Sequence, residues 1–151
     1  MLNVVLVEPE IPPNTGNVAR LCAATRSRLH LVSPLGFELS DRTLKRAGMD
    51  YWQHVDWQEW KSFDEMEKHL ADKNFYLLSS KATVSIYETK FRDGDYLLFG
   101  RETKGLPESL LARHPARCRT IPMPNPAARC LNLATSVGIV LYEGLRQTGG
   151  V

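Results

Sequence analysis

Leu2-Asn3-Val4-Val5-Leu6-Val7 runs into Glu8-Pro9, and behind it come Pro12-Pro13-Asn14-Thr15-Gly16-Asn17 and then Val18-Ala19-Arg20-Leu21-Cys22-Ala23-Ala24. The opening run is brief, apolar and β-branched, which fits a buried strand better than a helix. The second stretch is rich in turn formers and offers Asn or Thr as N-cap for the good helix formers after it. Strand, loop and helix thus follow in that order, and the pattern repeats along the chain. Leu29-His30-Leu31-Val32-Ser33 reads as a second strand, Asp41 to Ala47 as a short helix, and Phe63 to Ala71 as an amphipathic helix capped by Ser62. Phe75 to Leu78 and Tyr96 to Phe99 are two more compact apolar strands. Pro107 to His114 begins with proline where a first helical turn tolerates it, and Cys118 to Ile121 is a last short strand before a proline-rich loop and a final helix. Strands that are unbroken apolar runs, alternating with helices, predict an α/β fold: a mostly parallel sheet flanked by helices on both faces.

The length of 151 residues suits a single domain, 1–151, without repeats or an interdomain linker. Apolar residues at 43% and charged residues at 24% exclude a disordered or fibrous chain. The longest nearly uncharged stretch, Cys130 to Tyr142, falls short of the roughly 20 residues that a membrane-spanning helix needs, so no membrane association is expected. The N-terminus has no basic leader and meets acids and prolines at once, which predicts a cytoplasmic protein. Cys22, Cys118 and Cys130 form neither a disulfide framework nor a zinc knuckle and read as small buried hydrophobes.

The net charge of +2 hides an uneven distribution. An acidic middle, Asp50 to Asp72, lies between basic blocks at Arg20 to Arg46 and Arg101 to Arg129. If folding brings the basic blocks together they form a face for a polyanion; the alternative is an ordinary solvated surface. The final helix, Asn132 to Arg146, is apolar nearly all the way round, and Gly138 and Gly144 permit close approach. Such a helix must be buried on several sides, which in so small a protein points to a homodimer.

The loop after the first strand has a single glycine, Gly16, and lacks the glycine-rich turn of a dinucleotide site; Gly100 to Gly105 lacks the Gly-Lys-Ser/Thr of a triphosphate loop. His30, His54, His69 and His114 show no metal-ligand spacing, so no metal is expected. What remains are three loops at the carboxyl ends of expected strands, where open parallel sheets place their ligands. They contain Asn14-x-Gly16-Asn17-x-x-Arg20, Phe99-Gly100-x-Glu102-x-x-Gly105-Leu106-Pro107, and Ile121-Pro122-Met123 leading into Leu131-Asn132-Leu133.

These three motifs, in this order, resemble those of the SPOUT methyltransferases, within them the small branch that methylates the ribose 2′-hydroxyl of the tRNA wobble nucleotide; the resemblance covers essentially the whole chain. It implies a deep trefoil knot near the C-terminus, a homodimer, S-adenosylmethionine as methyl donor and tRNA as acceptor. By motif position the cofactor pocket maps to Leu78, Gly100, Ile121, Met123, Cys130 and Leu131. Aliphatic walls grip a flat apolar adenine, backbone groups read its edges, and Gly100 keeps the wall thin. Relatives usually carry serine where this chain has Cys130 and Ala134, so a hydroxyl contact is lost at each place while the volume is kept.

Methyl transfer from a sulfonium asks the protein to align the ribose oxygen and stabilise it as it loses its proton. Arg20 is the residue expected to do so, and Asn132 is placed with it at the reacting end, capping the last helix while touching substrate or cofactor. Asn14 and Asn17 are expected to fix the loop presenting Arg20, Glu102 to order the second loop through backbone amides, and Arg101, Lys104 and Arg129 to meet tRNA phosphates. Tyr142 reads as dimer packing. A sister 2′-O-methyltransferase acting elsewhere in tRNA or rRNA, and a catalytically silent RNA-binding module of the same fold, are the alternatives.

Overall fold

The computed structural model describes residues 1–39, 52–128 and 130–151. Six strands form one sheet: β1 (Asn3–Val7), β2 (Arg28–Val32), β3 (Trp57–Trp60), β4 (Phe75–Leu78), β5 (Tyr96–Phe99) and β6 (Cys118–Arg119). Their order is β3-β2-β1-β5-β4-β6, and every pairing is parallel. β1 sits centrally, with Asn3 in register with Arg28 on one side and Tyr96 on the other. The chain winds outward from β1 through β2 to β3, then returns to fill the other side, so the direction of winding reverses between β1 and β5.

Strand pleating sends neighbouring side chains to opposite faces, and two apolar cores result. Val4 and Leu6 of β1, with Leu29, Leu31, Leu97 and Phe99, enter the first core. Val5, Val7, Leu77 and Leu98 enter the second. The first is closed by α1 (Pro12–Thr25) and α4 (Leu133–Thr148), the second by α2 (Phe63–Leu70) and α3 (Glu108–Arg113). Helices on both faces explain why the strands carry apolar residues at consecutive positions.

Several boundaries differ from the sequence expectation. The stretch at Pro12 to Asn17 is not a turn but the first part of α1, and no side chain caps it. Pro12 and Pro13 take the first helical positions, where a missing N–H costs nothing, so the helix starts before Asn14 and Thr15 can serve as caps. β3 was not foreseen, because Trp57-Gln58-Glu59-Trp60 is a partly exposed edge strand without an unbroken apolar run. β6 is shorter than Cys118 to Ile121; beyond it Thr120 makes only an isolated bridge to Ser85. α2 begins as expected, with the Ser62 hydroxyl accepting from the Glu65 amide. The expected helix at Asp41 to Ala47 lies outside the described residues.

The final helix runs two residues past Arg146 and ends at Gly149, whose φ of 79° suits glycine. It is less enclosed than its composition suggests: Leu133, Val137, Val140, Leu141, Gly144 and Leu145 are buried, while Thr135, Tyr142 and Arg146 are exposed. The cysteines also divide. Cys22 is buried, which pushes its thiol up to about 12. Cys118 is partly buried, and Cys130, against expectation, is exposed. Among the described residues no helix is long and apolar enough to cross a membrane.

Candidate active site

A cleft of about 530 Å³ opens at the carboxyl ends of β4, β5 and β6, beside the reversal between β1 and β5. This is where ligands are expected in an open parallel sheet. Its size and mixed lining suit a small organic molecule. Leu78, Ile121, Met123 and Leu131 supply apolar wall, Gly100 and Cys130 stand beside them, and Asn14, Arg101, Lys104 and Asn132 add polar groups. Residues of the three separated motifs therefore meet in one place.

The thin wall at Gly100 has a geometric cause. The chain after β5 turns back so sharply that Arg101 and Gly105 bridge each other, Gly105 N–H donating to the Arg101 carbonyl at 2.8 Å. A Cβ on Gly100 would lie 2.0 Å from the Gly105 carbonyl carbon and 2.1 Å from the Leu106 nitrogen, where no atom fits. Gly105 itself has φ of 68°, a backbone that favours glycine.

Glu102 sits in this turn and reaches out of it. Its Oε1 accepts from the Glu10 amide at 2.9 Å, and its Oε2 accepts from the Ile11 amide at 2.8 Å and from Asn14 Nδ2 at 3.3 Å. The amides it satisfies thus precede and open α1, which has no side-chain cap of its own, and do not belong to the second loop as the sequence suggested. Asn14 Oδ1 in turn accepts from Asn132 Nδ2 at 3.0 Å, and Asn132 Oδ1 caps α4 by accepting from the Ala134 and Thr135 amides at 2.9 and 3.3 Å.

Acid–base contacts reinforce the same junction. Glu10 Oε1 accepts from the Thr103 hydroxyl at 2.7 Å and the Thr103 amide at 3.1 Å, and these bonds hold its carboxyl below the usual range. Arg101 donates to Glu8 at 2.9 Å, a contact that raises the guanidinium further. Arg101 is therefore paired within the chain, whereas Lys104 is exposed at the cleft rim.

Two expected residues lie elsewhere. Asn17 and Arg20 are exposed on α1 and do not line the cleft of their own chain. The cleft meets α1 only at its first turns, and Arg20 is six positions past Asn14, about 9 Å farther along and on another side of the helix. Arg129 lies outside the described residues. Conversely, Ser79, Ser80 and Lys81 after β4 and Ser136 on α4 line the cleft although none of the three motifs contains them. The strand-end argument applied to the other loops would have found the first three; Ser136 follows from Asn132 by one helical turn. Among the described residues no group of three metal-ligating side chains occurs.

Residues 1–142 match the SpoU rRNA Methylase family. The chain belongs to that family. A relative from Escherichia coli strain K12, tRNA (cytidine(34)-2'-O)-methyltransferase, is 45% identical over 153 residues, covering 99% of this chain and 95% of its own. A solved structure bearing on the 2-OH methylation of C/U34 on tRNA superposes with a TM-score of 0.92 at 51% identity, covering 100% of this chain and 98% of the other. An AdoMet-bound rRNA methyltransferase from Sinorhizobium meliloti is more distant, 26% identical with a TM-score of 0.81 over 96% of this chain and 56% of that one. That neighbour binds AdoMet, and in this SpoU member residues from all three motifs border one cleft.

Proposed function

We propose that this SpoU methylase transfers a methyl group from S-adenosylmethionine to the ribose 2′-hydroxyl of the tRNA wobble nucleotide, a cytidine or modified uridine. The observation that carries the reading is the meeting of Gly100, Ile121, Met123, Cys130 and Leu131 in one cleft beside Asn14 and Asn132. The residues fit the cofactor. Leu78, Ile121 and Leu131 suit a flat apolar base, and glycine at 100 lets the turn at Gly105 and Leu106 fold back against the end of β5 in the cleft lining. When bound, the cofactor supplies an electrophilic methyl for in-line displacement: the sulfur–carbon bond breaks as the bond to ribose oxygen forms, and the hydroxyl proton leaves to water or phosphate.

The chain's own part is alignment and charge. A guanidinium with a pKa above about 12 is a poor base but a good planar clamp, so Arg20 grips the neighbouring phosphate and steadies the developing alkoxide. Because Arg20 does not line its own cleft, it serves the cleft of a second copy. We infer a cytoplasmic homodimer, joined where α4 turns Tyr142 outward, in which a trefoil knot threads the C-terminal loops. Lys104 and Arg129 meet tRNA phosphates, Arg101 joins them by sharing its guanidinium with Glu8, and Asn17 supports Arg20 from the same exposed side of α1.

Purified protein incubated with S-adenosylmethionine and tRNA, followed by nucleoside mass spectrometry, should yield a 2′-O-methyl mark at the wobble position alone. A mark elsewhere in the tRNA would reject the assignment, and absence of saturable heat with the cofactor would reject the enzyme. Arg20→Lys should cut turnover at least about a hundredfold, since loss of a preorganised donor at a developing oxyanion costs that much. Near-normal turnover would sink the clamp.

A further inference from the structure

Hydrogen-bond polarity along Glu102, Asn14 and Asn132 leaves no freedom in the choice of residues. Asn132 Oδ1 is committed to the Ala134 and Thr135 amides, so only its Nδ2 is left to face Asn14. Asn14 must therefore present Oδ1 to Asn132, which turns its own Nδ2 toward residue 102. At 102 the same group also meets the N–H groups of Glu10 and Ile11. Every partner there is a donor, and only a carboxylate, which accepts at both oxygens, satisfies them all. Asn14 is only 8% exposed, so a mismatch there is costly.

The relay joins three segments that are far apart in sequence: the turn after β5, the start of α1 and the start of α4, with Asn14 and Asn132 separated by 118 positions. All three residues line the cleft. We propose that Glu102 is a positioning residue for methyl transfer, acting through Asn14 and Asn132 to hold the turn at Gly100 and the N-terminus of α4 at the spacing the methyl donor requires. The proposal rests on the reading of the cleft as the cofactor site.

The test moves the charge along the relay. Asn14→Asp alone sets a second carboxylate against Glu102 and removes the donor between them. Glu102→Gln alone leaves an amide group pointing at one backbone N–H. Together the two changes restore the match between side chains: the amide introduced at 102 donates to the carboxylate introduced at 14, which still accepts from Asn132. Affinity for S-adenosylmethionine is measured by calorimetry for wild type, both single variants and the double, with the unfolding midpoint of each alongside. Glu102→Gln should weaken binding about tenfold and Asn14→Asp more, and the double, in which one backbone N–H still faces the amide at 102, should be no weaker than Glu102→Gln alone, a coupling of the size seen for residues sharing one network. Turnover at saturating cofactor should recover in parallel.

If the double variant instead shows the product of the two single losses, or if midpoints fall while affinities stay level, the positioning role is overturned and the cofactor reading stands. If wild type itself takes up no S-adenosylmethionine, the cofactor reading fails and takes positioning with it. Should Asn14→Asp not fold alone, Asn132→Asp with Glu102→Gln gives a second cycle. There Asn14 flips, donating to the carboxylate introduced at 132 and accepting from the amide introduced at 102, and the same rescue is expected.

Discussion

Two networks of polar side chains stand out among the described residues, one sealed and one open. In the sealed set, between β1, β2 and β3, His30 is 1% exposed; its Nε2 bonds Asn3 Oδ1 at 3.0 Å while its Nδ1 accepts from Trp60 Nε1 at 3.0 Å. The Tyr96 ring packs on His30, and the Tyr96 hydroxyl bonds His69 at 2.8 Å. In the open set, Glu102, Asn14 and Asn132 are bonded to one another just as closely but border a cleft. Both sets order a core or a junction, so networked polarity alone does not mark a site. The cleft beside the open set does.

Breaking the turn that carries Glu102 of the open set should have the larger consequence. Gly100→Ala puts a methyl group into the Gly105 and Leu106 backbone, and overpacking against atoms that cannot move away should cost about 3 kcal/mol of stability. Chemical unfolding measures this loss, and calorimetry should show no remaining heat with S-adenosylmethionine.

The sealed set should respond to pH instead. With Trp60 donating to Nδ1, His30 must be neutral, and burial, aided by the nearby Arg28 and His69, lowers it to about 4 from an unfolded value of 6.5. The unfolded chain therefore takes up a proton that the folded chain refuses. Stability is complete above pH 6.5 and declines as pH falls toward about 4, by up to about 3 kcal/mol. In His30→Gln the slope of unfolding free energy against pH should lessen by about one proton across that window. A slope equal to wild type would show that His30 is not the titrating group.

Trp60→Phe sharpens the comparison with the smallest change. It removes the indole N–H and leaves His30 Nδ1 buried without a donor, at a cost of about 2 kcal/mol. Cofactor affinity at 25 °C should match wild type, because the sealed set does not line the cleft.

The fold was legible where a strand is apolar throughout. Phe75 to Leu78 and Tyr96 to Phe99 coincide with β4 and β5, because strands covered on both faces must be apolar at every position. β3 escaped because an edge strand alternates with solvent and carries Gln58 and Glu59 in its middle. The lining at Gly100, Ile121, Met123, Cys130 and Leu131 was readable through the motif resemblance, since these residues sit at strand ends or in the loop before α4. The task of Glu102 was not readable, because its partners Glu10, Ile11 and Asn14 are about 90 positions away and nothing local signals them. The distance of Arg20 from its own cleft depends on α1 beginning at Pro12, a boundary set by two prolines that resembled a turn.

The bond from Asn14 to Asn132 also bears on how the protein is made. Domains emerge from the ribosome N-terminal end first, so β1 and α1 exist long before their counterpart at the start of α4 does. Until that last helix has left the ribosome and docked, Asn14 has no acceptor duty to perform and the cleft lacks one wall. A nascent chain in which that helix has not yet docked therefore lacks the junction between the starts of α1 and α4, and on the proposed reading the methyl donor has no complete cleft to enter.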